Sequence, residues 1–306
     1  MSVTTLLFII FVWEWTVYAA LGALIAIVSG LGAWSIAPLA AGAWLLARLI
    51  GMGNAFRLVL RWGEPVPTPL RITRGQFIAC AWREGLAVAR SFSFLQPFAP
   101  FWARWAFAAP APGHRPVVLL VPGALCNASV WDSMRAALDR AGFDVEVVNL
   151  PSPLHPIATS VPLLDDCIEA ICKARGVERI PVVAHSMGGL AIRAYVAAQS
   201  DRRLERVITI ATPHTGTLFA NLGSLRAFRE MRPDSNFLKA LAAKENGKRQ
   251  VAFTCIYSFH DNLVAPPSHA TLPGARAIAY AGIGHVSLIR DPRVQQQVVI
   301  ELRRQI

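Results

Sequence analysis

Ile180-Pro-Val-Val-Ala-His-Ser-Met-Gly-Gly-Leu190 is the stretch on which the reading of this chain turns. Its first half is a short apolar run of the kind that forms a buried strand. Its second half continues as a helix starting directly after Ser186. Small residues at Ala184, Gly188 and Gly189 let the chain turn sharply between the two, lifting the serine side chain clear of a sheet. Strand, exposed serine and helix in this order form a nucleophile elbow, usually spelled Gly-x-Ser-x-Gly. Ala184 stands at the first glycine position, where only a small side chain is required.

The segments on either side keep alternating. Val117–Val121 and Phe143–Val148 read as strands before the elbow; Val207–Ala211, Val251–Tyr257 and Ala275–Tyr280 read as strands after it. Asn127 is placed to cap a helix that stops at Gly142. Val161, Leu164, Ile168 and Ile171 share one helical face, with Asp165 and Asp166 early in that helix and Gly176 after it. Asp291-Pro292 opens a last helix carrying Val294, Val298 and Leu302. Alternating strands and helices predict an α/β domain over residues 114–306, a mostly parallel sheet with helices on both faces.

A serine hydroxyl needs a base to take its proton, and the base needs a carboxylate to orient it. Asp261, after the Val251–Tyr257 strand, and His285, after the Ala275–Tyr280 strand, supply them in the order serine, acid, histidine. Both lie just past the carboxyl ends of strands, the edge where open α/β sheets build their sites. Ser186, Asp261 and His285 are therefore the candidate triad. His260 adjoins the acid without a strand end of its own, and His185 reads as structural. Asp165 and Asp166 suit a solvated helix start.

The backbone N–H of Met187 and a second one from the loop after Val117–Val121, assigned to Ala124, are the candidate oxyanion donors. Leu125 is the neighbour that could replace Ala124 and is also placed at the substrate, together with His214 and Thr215. Cys126 reads as packing.

These motifs carry a resemblance. LVPGALCNASVW (120–131), VVAHSMGG (182–189), ITIATPHTGT (208–217), MRPDSNFLKAL (231–241), SFHDNLVAP (258–266) and GIGHVSLIRDPRV (282–294) resemble the bacterial triacylglycerol lipase and esterase branch of the α/β-hydrolase family. The resemblance spans Val117 to Arg293. It implies a Ser/Asp/His ester hydrolase with an acyl-accepting pocket beneath a lid-like insert at about 214–248. Pro122 departs from it, standing where the family usually has the histidine of a His-Gly oxyanion motif.

The N-terminal third lies outside that resemblance. Leu6–Val28 is almost wholly apolar, and after Ser29-Gly30-Leu31-Gly32 a second apolar run covers Ala33–Ile50. At about 1.5 Å per residue the first run matches a bilayer core of about 30 Å, and the second is near the lower limit. Residues 1–62 are therefore read as a membrane hairpin, its helices meeting through Gly22, Ala26, Ala37 and Gly42. One span followed by a re-entrant segment is the alternative. Glu14 reads as interfacial or paired with the other helix. Arg48, Arg57 and Arg61 crowd the end of the second run, Arg71 and Arg74 lie a little further on, and no basic residue precedes the first, which places the downstream domain in the cytoplasm, at a bacterial inner membrane. Residues 63–113 form a proline-rich connector, Gly63–Leu70, then an aromatic and arginine-rich stretch from Gln76 to Phe107. That stretch suits either an interfacial helix or a cap.

The net charge of +11 accompanies no nucleic-acid-binding motif, so an anionic membrane surface is the expected electrostatic partner. Five cysteines without CxxC spacing or a Cys/His cluster argue against a disulfide framework or a metal site, and no cofactor is expected. Oligomeric state is not legible. The expectation is a membrane-tethered carboxylester hydrolase acting on ester or lipid substrates through an acyl-serine. The same triad would serve an acyltransferase or thioesterase. A non-catalytic binding module on this fold would be expected to lack His285 or Asp261.

Overall fold

The computed structural model describes residues 1–100, 115–245 and 250–304. Two antiparallel helices begin it, α1 (Val3–Val28) and α2 (Ile36–Trp62), both long and apolar enough to cross a membrane. They cross where a Cβ on Gly22 would lie 2.7 Å from the Ile36 carbonyl oxygen, with Ala26 and Ala40 buried beside it. Ala37 and Gly42, expected at this contact, are exposed. The contact runs along the Ile36–Ala40 stripe, and Ala37 and Gly42 fall to either side of it. Glu14 is paired across the hairpin with Arg48 at 2.7 Å.

The second helix continues past the apolar run that ends at Ile50. Phe56 and Val59 are buried, with Phe56 edge-on to Phe77 at 5.3 Å, so packing carries the helix through Gly51–Asn54 to Trp62. Phe77 belongs to α3 (Arg74–Ala89), whose Thr73–Gln76 capping box fixes its start. Cys80, Glu84 and Ala87 of α3 are buried, while Ile78, Trp82 and Leu86 are exposed. One face thus packs inward and the other stays apolar and open. A π-helical turn, Arg90–Leu95, follows. Trp102, Arg104 and Trp105, from the aromatic–arginine stretch, lie outside the described residues.

The sheet has six parallel strands in the order β2-β1-β3-β4-β5-β6. They are β1 (Val117–Val121), β2 (Asp144–Val147), β3 (Ile180–His185), β4 (Leu204–Ile210), β5 (Ala252–Ser258) and β6 (Arg276–Tyr280). Every predicted strand is present; β4 starts at Leu204, which pairs with Ile180 before a register shift. Parallel neighbours need crossovers, and helices supply them. Trp131, Met134 and Leu138 at the helix α4 (Asp132–Arg140) pack on one face with Val294 and Val298 from a helix at the C-terminal end. The other face is covered by α5 (Ser160–Arg175) and α6 (Met187–Gln199) through Leu164, Ile168, Leu190 and Tyr195. Between β4 and β5 the expected insert folds as a 3-10 turn (Leu218–Leu222), α7 (Arg226–Glu230) and α8 (Asn236–Glu245). The last helix is α9 (Pro292–Arg303), capped by Asp291 as expected.

The strand order reverses at β1, which has β2 on one side and β3 on the other. In an open parallel sheet this switch leaves a crevice at the carboxyl ends of the strands. Ser186 follows β3 at that crevice.

Candidate active site

Ser186 joins β3 to α6 with φ 54° and ψ −127°, a backbone conformation that L residues rarely adopt. The surroundings hold it there. A Cβ on Gly188 would come within 2.6 Å of the Val121 and Pro122 carbonyl oxygens, and one on Gly123 would lie 2.9 Å from Ser186 Cβ. Both glycines are therefore required by close approach, and the loop after β1 is pressed against the serine. Leu125 in that loop also has a positive φ, 55°. Among the described residues, the N–H groups of Met187 and Ala124 meet no protein acceptor.

His285 Nε2 lies 3.0 Å from Ser186 Oγ, and His285 Nδ1 lies 2.9 Å from Asp261 Oδ2. Asp261 Oδ1 also accepts the N–H groups of Leu263 (2.7 Å) and Val264 (2.9 Å), which fixes the carboxylate plane. His285 and Asp261 are almost fully buried, whereas Ser186 is partly exposed. Burial alone would depress the basicity of His285. The Asp261 carboxylate outweighs it, with Glu84 adding to the effect, and the imidazole is held above its ordinary range. His185 behaves oppositely: burial and then the neighbouring His285 push it well below the usual histidine value. It stays neutral and its Nε2 meets the His285 carbonyl at 3.2 Å, a structural contact.

Two residues that sequence reading missed secure the His285 loop. The Asn262 side chain accepts the His285 N–H at 2.9 Å. Glu84 of α3, wholly buried, accepts the N–H groups of Val286 and Ser287 at 2.9 and 2.8 Å. Burial pushes the Glu84 carboxyl up, and the two N–H donors oppose that. Its signal in the sequence was faint: Glu84 is the one carboxylate in the α3 segment RGQFIACAWREGLAVA.

Ser186 and His285 border an apolar cavity of about 580 Å3, within the range usual for small-molecule sites. Leu125 lines it, and the insert contributes Phe219, Leu222, Phe228 and Met231. His214 and Thr215 do not line it. They border a second cavity of about 520 Å3, with Arg193, Asp234, Lys239 and Glu245. The reason is a tight turn in which the His214 N–H returns to the Thr212 carbonyl at 2.9 Å. It leaves Pro213 at the Ser186 cavity and sends the His214 ring to Thr209, 2.9 Å from its hydroxyl. Cys126 is buried and its thiol is pushed up to about 12 by burial, so it is packing rather than a nucleophile.

Residues 116–241 match the family profile of the alpha/beta hydrolase fold. The chain carries an α/β-hydrolase domain. Two curated relatives are triacylglycerol lipases, from Pseudarthrobacter phenanthrenivorans and Burkholderia plantarii, each 34% identical over 94 residues. The match takes in 30% of this chain but only 29% and 26% of theirs, so the chain spans less than a third of the relatives' length. Among solved structures, Bacillus licheniformis lipase BlEst2 in mature form superposes with a TM-score of 0.55 at 18% identity, covering 64% of this chain and 96% of that one. Aspergillus fumigatus lipase B gives 0.55 at 20% identity, covering 66% and 57%. Those two share the hydrolase fold, and the curated relatives are similar to this chain over the stretch they match.

Proposed function

We propose that this chain is a membrane-tethered serine hydrolase of carboxylic esters, with Ser186, His285 and Asp261 as its triad. The observation that carries the reading is the continuous relay from Asp261 through His285 to Ser186, at 2.9 and 3.0 Å, ending in an apolar cavity. In this reading His285 Nε2 takes the Ser186 proton as Oγ attacks the acyl carbonyl. Asp261 faces the imidazolium that forms, and the N–H groups of Met187 and Ala124 receive the oxyanion. His285 then protonates the departing alcohol, and water repeats the sequence on the acyl-serine. One oxyanion donor typically contributes about 3 kcal/mol to the transition state. Lipid esters are the proposed substrates, supported by the apolar cavity and by the lipase names of the relatives.

In the same reading residues 1–62 anchor the hydrolase domain, residues 63–113 connect and cap it, and residues 114–306 perform the chemistry. The arginines Arg57, Arg61, Arg71 and Arg74 at the domain end of the hairpin support a cytoplasmic placement at an inner membrane. The test is hydrolysis of nitrophenyl esters by the wild type and Ser186→Ala, paired with fluorophosphonate labelling. Turnover and labelling that vanish together in a folded mutant support the serine mechanism. Equal turnover in both proteins would sink it.

A further inference from the structure

Part of the Ser186 cavity is not built by the hydrolase domain. Ala47, Arg48, Gly51, Met52 and Ala55 of α2 border it, Arg48 being paired with Glu14, and Gly85 and Val88 of α3 join them. Positions 47, 51 and 55 are four apart and so share one helical stripe. The stripe is tied to the catalytic loop, because Asn262, which accepts the His285 N–H, reaches Met52 Sδ at 3.8 Å. A Cβ placed on Gly51 or Gly85 would meet no heavy atom within 4 Å. Both glycines therefore stand at open space along the lining of the cavity. Leu45, Leu46, Leu49 and Ile50 of the same helix are exposed, and they form an apolar surface facing away from the protein.

The depth of this wall matters. At 1.5 Å per residue, Gly51 lies about 26 Å along the hairpin from Trp34 at its tip. A hydrocarbon layer is about 30 Å thick, so Ala47 and Gly51 fall inside it when the hairpin spans the bilayer, and Ala55, about 32 Å from Trp34, lies at its edge. A cavity mouth beside Gly51 would face acyl chains at that level.

We infer that α2 is a wall of the acyl pocket as well as an anchor, and that the pocket takes the long acyl chain of a bilayer-resident ester entering sideways from the hydrocarbon. The stripe Ala47, Gly51 and Ala55, faced by Gly85, keeps that channel open. Transfer of the chain between two apolar surroundings needs no passage through water, where every exposed methylene is disfavoured. This inference rests on the reading of Ser186 as the site of acyl chemistry, and its second test is independent of turnover.

The first test compares kcat/KM for nitrophenyl palmitate and nitrophenyl butyrate, using full-length protein in mixed micelles. Gly51→Leu and Gly85→Leu fill the open space without striking backbone and suit helices better than glycine. The palmitate-to-butyrate ratio is expected to fall at least tenfold in each, and to stay within twofold in the outward-facing Leu49→Phe. A ratio unmoved in both glycine variants overturns the inference. The second test reconstitutes Ser186→Ala in phosphatidylcholine vesicles containing a phosphatidylcholine with a diazirine-labelled acyl chain. Irradiation is expected to mark the peptide holding Phe228 and Met231, and Gly51→Leu is expected to abolish that mark. Absence of lipid adducts on this peptide overturns lateral entry even where Ser186 proves catalytic. Adducts there in a protein that hydrolyses no ester retain the lateral channel and reject the hydrolase reading alone.

Discussion

Glu84 accepts the Val286 N–H at 2.9 Å across 202 residues of sequence. The bond joins the cap helix α3 to the residue immediately after His285, and a second, to Ser287, makes the grip two-pronged. Gly284 belongs to the same arrangement, because a Cβ there would lie 2.5 Å from the Glu84 carboxylate. The histidine loop is thus clamped between Asp261 and Asn262 of the hydrolase domain and a carboxylate from the segment that precedes it.

Removing the clamp has two separable effects. Glu84→Ala leaves two buried N–H groups without an acceptor and should cost on the order of 2–5 kcal/mol in chemical denaturation. Glu84→Gln keeps an acceptor oxygen and should lose less. Glu84 also helps hold His285 above its ordinary range, so Glu84→Gln should move the acid limb of the kcat/KM profile to lower pH. A limb and a stability both unchanged in Glu84→Gln would reduce this residue to a space filler.

The acid limb itself follows from the sign of the His285 shift. Only the neutral imidazole accepts the Ser186 proton, and His285 is raised above 6.5, so activity should decline as pH falls through that raised value. Asp261→Asn removes the main influence that raises it. The limb should shift to lower pH while kcat drops by about 10^4. Profiles of kcat/KM for both proteins decide this, and a wild-type limb below 6.5 would contradict it.

Gly123→Ala addresses the oxyanion loop. Its new methyl would lie 2.9 Å from Ser186 Cβ, so the loop must retreat and carry the Ala124 N–H with it. Loss of one such donor lowers turnover by about a hundred- to a thousandfold. Turnover should fall on that scale while circular dichroism shows retained fold. Near-normal kcat would assign the second donor elsewhere.

The Glu14–Arg48 pair links the two hairpin helices at 2.7 Å and also brings Arg48 within 3.4 Å of Ser93 Oγ. Polar contacts between helices in an apolar surrounding contribute about 1–2 kcal/mol in peptide systems. Arg48→Met should lower the thermal midpoint of detergent-solubilised protein by leaving the Glu14 carboxylate unpaired. Glu14→Gln combined with Arg48→Met should recover part of the loss. Strict additivity in this double-mutant cycle would mean that the two side chains are not coupled.

The elbow, the strand order of the chemistry and the apolar hairpin were all legible in the chain because each is a local pattern. Ile180–Leu190 encodes its own turn through small residues. Asp261 and His285 are marked by strand ends in their own neighbourhoods, and Leu6–Val28 by uninterrupted apolarity. The pocket residues were read less well. His214 and Thr215 stand in a motif beside a strand end, yet one tight turn at Thr212–His214 sends them into a different cavity. Hydrophobic pattern carries no information about such a turn. The apolar run by itself stops at Ile50, whereas α2 continues to Trp62, because glycines that weaken an isolated helix are tolerated where Phe56 and Val59 pack.

What the sequence alone determined is therefore the α/β architecture, the three candidate triad residues and the presence of two long apolar helices, each carried by residues close together in the chain. What only the tertiary structure decided is which distant groups converge: Glu84 on Val286, Asn262 on His285, Met52 on Asn262, and Gly51 on the cavity of Ser186. The physical reason is that these contacts join surfaces of separate elements. Their partners are set by how helices and sheet pack in three dimensions, and spacing along the chain does not encode that packing.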